Sequence, residues 1–317
     1  MPGKGCGCLT GIMIWSLIIL LVLLGVGFVL GPLGAKMVGI ETPGIFAVSK
    51  PHVELPSEGI FHVAGFSITN TLIASWFTII VLVVGFYICT RKMKLIPGKL
   101  QGIAEMAVEG LLNFIEGAAG KEHARLLFAG VATIFIYVLA NAYLALLPFF
   151  GGIGITHEGV FVPLFRSANT DVNVPLSIAV MSFIFVETWG MKKVGFFRYI
   201  GEFINVRQIG QGIKQLFKGK VRPAIMNIGF GIISLAVGLL EVFSHLIRMV
   251  SFTFRLFGNM TAGEILVLVS VFLIPLVFTI PFYGLELLIG LIQALIFAGL
   301  TLVFGIIAVS PPHEEGE

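Results

Sequence analysis

Residues 224–274 read AIMNIGFGIISLAVGLLEVFSHLIRMVSFTFRLFGNMTAGEILVLVSVFLI, an almost unbroken apolar stretch punctuated by Glu241, His245, Arg248, Arg255 and Glu264. As a straight helix it would be about 76 Å long at 1.5 Å per residue, more than twice the ~30 Å hydrocarbon core of a bilayer. It therefore tilts steeply, breaks, or folds back as two passes. The rest of the chain asks for the same environment. Of its 317 residues 57% are hydrophobic and 12% charged, and 29 are Phe. A soluble globular domain would carry about 25% charged residues, so a soluble enzyme is all but excluded. The net charge of +3, with no long run of Lys or Arg, leaves nucleic acid out as an expected partner. The partner implied is the lipid bilayer.

Working outward, further windows of about 20 apolar residues lie at 12–31, 70–90, 126–149, 173–191 and about 282–309. The expected fold is an all-α, polytopic membrane protein with about six hydrophobic segments. If Lys4 is cytoplasmic and each window crosses once, fifteen of the 20 basic residues fall on the cytoplasmic side, against Lys36, Lys50 and Arg166 outside. Arg248 and Arg255 complete the count, inside the long stretch. Segment 12–31 is a membrane anchor or a cleaved signal peptide; its length and the Gly-Pro that follows favour the anchor. Segment 100–119 places Glu105, Glu109 and Glu116 among apolar residues with a period near 3.6 and reads as an amphipathic interfacial helix. Residues 32–69, with Pro32, Pro43, Pro51 and Pro56, read as an irregular outer loop. Cys6, Cys8 and Cys89 suggest neither a disulfide framework nor a zinc site, and no internal repeat stands out.

Charge inside a membrane costs about 2.5–3.5 kcal/mol per group on insertion scales, so each such residue needs a partner or a task. At about 100° per residue, Ser251, Arg255 and Asn259 share one stripe, and Glu241, His245 and Arg248 another. Glu264 points about 180° away from Arg255 and lies about 13.5 Å further along the axis. The arginine can face a partner in the membrane while the glutamate faces the protein's own interior. Contacts across an antiparallel helical hairpin keep a nearly constant index sum. Arg255 with Gln293 gives 548 and Glu264 with Glu286 gives 550, placing the turn near residue 274, beside Pro275. The long stretch and the last segment are thus expected to form a hairpin.

The run Ser251-Phe-Thr-Phe-Arg255-Leu-Phe-Gly-Asn259-Met-Thr-Ala-Gly-Glu264 closely resembles the signature of subunit a of F-type ATP synthases, the stationary half of a proton-driven rotary motor. Other stretches agree: Leu95-Ile-Pro97-Gly-Lys-Leu-Gln101 with Glu105, Leu139-Ala-Asn141 leading to Leu147-Pro148, Ser167-Ala-Asn-Thr-Asp171-Val-Asn173, and Gln293-Ala-Leu-Ile-Phe297. The resemblance runs from about 70 to 309. It implies a channel domain over 70–317, preceded by an anchor or signal segment and outer loop over 1–69.

Carried over residue by residue, the resemblance makes Arg255 the essential arginine facing the ring of c subunits. It places Asn259, Glu264, Glu286 and Gln293 on the proton path and Glu241 near the cytoplasmic outlet. The family often pairs Glu with His at the positions of Glu264 and Glu286; this chain has Glu at both, and two carboxyls sharing a site usually share a proton. Protons would enter from outside past Glu264 and Glu286, with Asp171 or Asn173 nearer the mouth, and load a c-subunit carboxylate. They would leave near Glu241 and His245. Each role has a plainer counterpart: Arg248 snorkels or pairs with Glu241, His245 is a satisfied interior histidine, and Asp171 and Asn173 cap the helix beginning near Val174. The implied partners are the c-subunit ring, b-type peripheral stalk subunits and the remaining synthase. No cofactor, metal or catalytic site on this chain is implied, and the implied location is a bacterial inner membrane. The competing reading is a stand-alone transporter using the same charges; the missing repeats count against it.

Overall fold

The computed structural model describes residues 5–39, 56–63, 65–157, 160–196 and 221–309, with 199, 201, 210, 213–215 and 217 between the last two ranges. Pro43 and Pro51 of the expected loop lie outside the described residues, as do Lys4, Lys50, Arg198, Arg207, Lys218 and Lys220 of the charge count and the side chains of Cys6 and Cys8. The helices whose bounds fall among the described residues are α1 (Gly5–Leu30), α2 (Pro32–Val38), α3 (Asn70–Thr90), α4 (Lys99–Ala145), α5 (Pro148–Gly152), α6 (Asn173–Val194), α7 (Val221–Leu273) and α8 (Ile280–Val309). Six of them, α1, α3, α4, α6, α7 and α8, are long and apolar enough to cross a membrane. The protein is an all-α polytopic membrane protein.

Local sequence explains where these helices start and stop. At the head of α3, Thr69 Oγ1 accepts the Leu72 N–H at 3.3 Å, satisfying one of the first-turn donors. Gly195, at φ 93°, ends α6 and returns its N–H to Met191 O at 2.9 Å, and Lys192 and Lys193 complement the negative end of that helix. The window 126–149 overshoots its helix: Leu147 is extended at ψ 138° because Pro148, which opens α5, disfavours the helical conformation before it. Within α4, Gly120 adopts φ 71° and ψ 161°, so segment 100–119 is a separate helical piece joined to its successor at a kink. Gln101 holds the turn before it, accepting the Lys94 N–H at 3.1 Å while donating to Lys94 O at 3.0 Å and Glu105 Oε1 at 2.7 Å.

The loops hold more order than expected. In place of a wholly irregular 32–69 there are α2 and an antiparallel hairpin of β1 (Gly59–Val63) with β2 (Phe66–Thr69), and a second hairpin pairs β3 (Gly154–His157) with β4 (Val160–Pro163). The long stretch resolves unambiguously. It lies in one helix of 53 residues, about 80 Å long, which excludes the break and the fold-back.

The packing divides into two compact units. One comprises residues 1–74, 141–170 and 257–292. In it α8 returns along α7: Met260 lies against Gly290 and the Glu286 carboxyl lies against Gly263, index sums of 550 and 549. The reversal uses Pro275 and a 3-10 turn over Leu276–Thr279, with Leu276 at φ 77°. Helix α1 rests on this turn. A Cβ added at Gly27 or Gly31 would overlap the backbone carbonyl oxygens of Pro275 and Leu273.

The other unit comprises residues 75–140, 171–256 and 293–317. Its core joins Ile115, Ala124, Leu127 and Val131 of α4 to Ala298 and Leu302 of α8. The Phe252 and Phe297 rings meet at a tilt with centroids 4.9 Å apart, again a sum of 549. Lipid is as apolar as these side chains, so the hydrophobic effect does not hold such helices together; close approach at small residues and interhelical hydrogen bonds do. Gly130 lies under the Phe185 ring and Gly305 under Leu127. Ser182 bonds Thr301 at 2.7 Å and Ser75 bonds Tyr137 at 2.6 Å, each worth about 0.6 kcal/mol in such a setting.

The backbone at Gly120 lies where only glycine is at ease. Gly120→Ala is expected to destabilise the fold by about 1–3 kcal/mol, seen as a lower melting midpoint of the purified protein in detergent. An unchanged midpoint would mean that the kink is not a constraint.

Candidate functional site

The polar residues of α7 separate by helical face. Phe252, Leu256, Met260, Gly263 and Ser270 are buried, the spacing of a hairpin seam, whereas Ser251, Arg255 and Asn259 are exposed. Arg255 borders an open groove of about 490 Å³, lined otherwise by Phe114, Ala118, Ile296, Gly299, Leu300, Leu302 and Val303. That lining is entirely apolar. Among the described residues no carboxylate lies within ion-pair range of Arg255. Gln293, matched with Arg255 by the index sum, is buried at 7% exposure.

Glu264 has a partner that the sequence reading did not assign. Arg166, counted only as an outer charge, donates its Nε–H to both carboxylate oxygens at 3.2 Å and its Nη1 to Pro56 O at 3.3 Å. The Arg166 side chain is 9% exposed and that of Glu264 28%. Glu286 is buried, and a Cβ at residue 263 would collide with its carboxyl group, so the glycine before Glu264 opens the space that Glu286 fills. The expected pair of carboxyls thus includes a cation: the Glu264 charge is compensated by Arg166, and Glu286 stands one residue away across the hairpin.

Of the two expected capping residues only Asp171 accepts from the head of α6; Asn173 is the first residue of that helix and donates to Asp171. Asp171 Oδ1 accepts the Asn173 N–H and its Nδ2–H, both at 3.0 Å, and Asp171 O accepts the Val174 N–H at 3.2 Å, so Asp171 satisfies the free donors at the head of α6. Asp171 is buried and Asn173 exposed.

On the remaining stripe Glu241 is exposed, while His245 and Arg248 are half-buried. The Arg248 guanidinium lies over the Phe304 ring, 3.1 Å from its centroid, and is close enough to interact electrostatically with both Glu187 and Glu241. The carboxylate at His245 is Glu187 of α6, with Nδ1 and Oε1 3.1 Å apart. Glu187 and Arg166 were both missed in the sequence. A carboxylate inside the 173–191 window, toward its C-terminal end, is the same kind of signal that singled out Glu264 and Glu286; for Arg166 the only pointer was its place beside the Ser167–Asn173 motif.

Comparison with known proteins identifies the family of the chain. The profile of the family described as ATP synthase A chain matches residues 72–305. The chain is 29% identical to ATP synthase subunit a of Moorella thermoacetica over 77% of its own length and 93% of that relative. It is 32% identical to the subunit a of Campylobacter curvus, over 71% of this chain and 84% of the relative. The subunit a of Campylobacter concisus is also 32% identical, over 74% and 88%.

Removing Arg166 would strand the Glu264 carboxylate. Arg166→Ala is expected to destabilise by about 2 kcal/mol, between the surface and fully buried ranges. The Arg166→Ala/Glu264→Gln double variant should lose less than the two single changes added together. Thermal unfolding of the purified complex reads this cycle, and strict additivity would mean that the pair is not coupled.

Proposed function

Because the chain belongs to the family of F-type ATP synthase subunit a, we propose that it forms the stationary side of the proton path, two aqueous half-channels that load and unload a ring of c subunits. It is a multi-pass bacterial membrane protein and a membrane-sector subunit of the synthase, distinct from the subunit that makes ATP. The observation that carries the proposal is Arg255, a guanidinium on an exposed membrane-helix stripe, above an apolar groove and without a carboxylate partner among the described residues of its own chain. Such a charge calls for a counter-charge from outside, and an ionised carboxylate on a c subunit supplies it.

In this reading, a proton enters through Glu264 and Glu286 and protonates the c-subunit carboxylate, which then leaves the arginine for the lipid. A carboxylate arriving from the other side is held ionised by Arg255 until its turn. Arginine suits the role because it stays charged in any protein environment, so it carries no proton across and blocks a direct leak between the half-channels. Asn259, on the exposed stripe, and Gln293, buried in the hairpin, offer polar groups flanking the transfer. Glu241 and His245 serve the outlet. Asp171 and Asn173 hold the start of α6, and any part in the entrance is secondary to that cap. The hairpin of α7 and α8 faces the ring at a steep tilt, the b-type stalk subunits hold it against rotation, and residues 1–69 add an anchor and outer loop to the channel domain over 70–317. The membrane is the bacterial inner membrane.

In membrane vesicles carrying an assembled Arg255→Ala complex, both proton-driven ATP synthesis and ATP-driven proton pumping are expected to be lost. Full coupling in that complex would refute the assignment.

A further inference from the structure

Within the unit that holds Arg255, a second group of ionisable side chains joins three segments of chain. Glu187 of α6 lies 3.1 Å from His245 Nδ1 through Oε1 and accepts the Tyr199 Oη–H through Oε2 at 2.7 Å. The Glu187 and His245 side chains are 13% and 15% exposed, and Tyr199 is 7% exposed. Phe183 meets the imidazole edge-on with centroids 5.6 Å apart. Tyr199 reaches Glu187 by lying across Gly190, where a Cβ would stand 2.9 and 3.1 Å from two ring carbons and 3.2 Å from the phenolic oxygen. Beside them is a cavity of about 20 Å³ bordered by Ser182, Glu187, Arg248 and Phe304, room for one water. Arg248 interacts electrostatically with Glu187, Glu241 and Tyr199.

Leucines would pack these positions more cheaply in a bilayer, where ionisable groups mark ion or proton pathways. The cluster also sits where such a pathway is needed. His245 is ten residues before Arg255 on the same helix, about 15 Å along its axis. Glu187 stands one to two turns before Lys192 and Lys193, whose charge places that end of α6 at the cytoplasm.

We infer that Glu187 and His245 together form the proton-exit station of the inner half-channel, with Tyr199 positioning Glu187. The pair takes up one proton released on the Arg255 side, as imidazolium against carboxylate, and gives one proton to water on the cytoplasmic side; no other bond changes. The inference rests on the proton path proposed above and adds Glu187 to it.

The test uses vesicles carrying the complete complex, with ATP-driven proton pumping read per assembled complex. Glu187→Gln keeps the volume and the acceptor for Tyr199 but does not titrate, whereas Glu187→Asp titrates but is shorter. A relay predicts at least about a tenfold loss of pumping for Gln, with Asp retaining most of the rate, and His245→Gln matching Glu187→Gln. The double variant Glu187→Gln/His245→Gln should be no slower than either single change, because the two act as a unit. Wild-type pumping by Glu187→Gln, or Gln outperforming Asp as a purely structural hydrogen bond would require, overturns the inference. If the Glu187→Gln complex does not assemble, full-rate pumping by His245→Gln overturns it instead. An Arg255→Ala complex that loses coupling while Glu187→Gln keeps it rejects this station alone. Coupling retained in Arg255→Ala rejects the proton path itself.

Discussion

A guanidinium in hydrocarbon has to be answered by a negative charge, and Arg255 finds none in its own chain among the described residues. Its stripe on α7 is exposed and the surface beside it is apolar. Insertion scales put the cost of such a charge at about 2.5–3.5 kcal/mol, so the arrangement persists only if something outside the subunit compensates it. Arg166 and Arg248 are held differently, one on Glu264 and the other over Phe304 beside Glu187 and Glu241. Two of these arginines are tied within their own units; the third is offered outward.

The helix that presents Arg255 does so because its two faces carry different chemistry. Phe252, Leu256, Met260 and Gly263 form a seam against α8, and that seam orients the opposite stripe. Hydrophobic burial does not enforce the seam in lipid, so close approach at its glycines matters: Gly263 makes space for the Glu286 carboxyl and Gly290 for Ala142 of α4. A larger residue at 263 would displace the Glu286 carboxyl as well as loosen the packing. Structure and proposed chemistry thus share the same few contacts.

Much of this was legible from residue order. Helical periodicity separated Arg255 from Glu264, and the index sums 548 and 550 anticipated the 549 and 550 read from Phe252–Phe297, Gly263–Glu286 and Met260–Gly290. A period says which residues share a face but not which segment lies opposite. For that reason Arg166 escaped as the partner of Glu264, being 98 positions away, and Glu187 escaped as the partner of His245. The hairpins β1–β2 and β3–β4 were hidden for a different cause: strands of four or five residues leave little alternation to read. Asp171 could be read as a cap or as a channel group, and only the bonds to Asn173 favour the cap.

The account depends on the Ser251–Arg255–Asn259 stripe meeting a ring of c subunits. Disulfide cross-linking tests this most directly. With Cys6, Cys8 and Cys89 replaced, single cysteines would be placed by Ser251→Cys and Asn259→Cys on the stripe and by Leu256→Cys and Met260→Cys on the seam, each combined with a cysteine scan along the membrane-facing helix of the c subunit. The account predicts oxidative cross-links from positions 251 and 259 and none from 256 and 260. Cross-links from the seam positions with none from the stripe would contradict it.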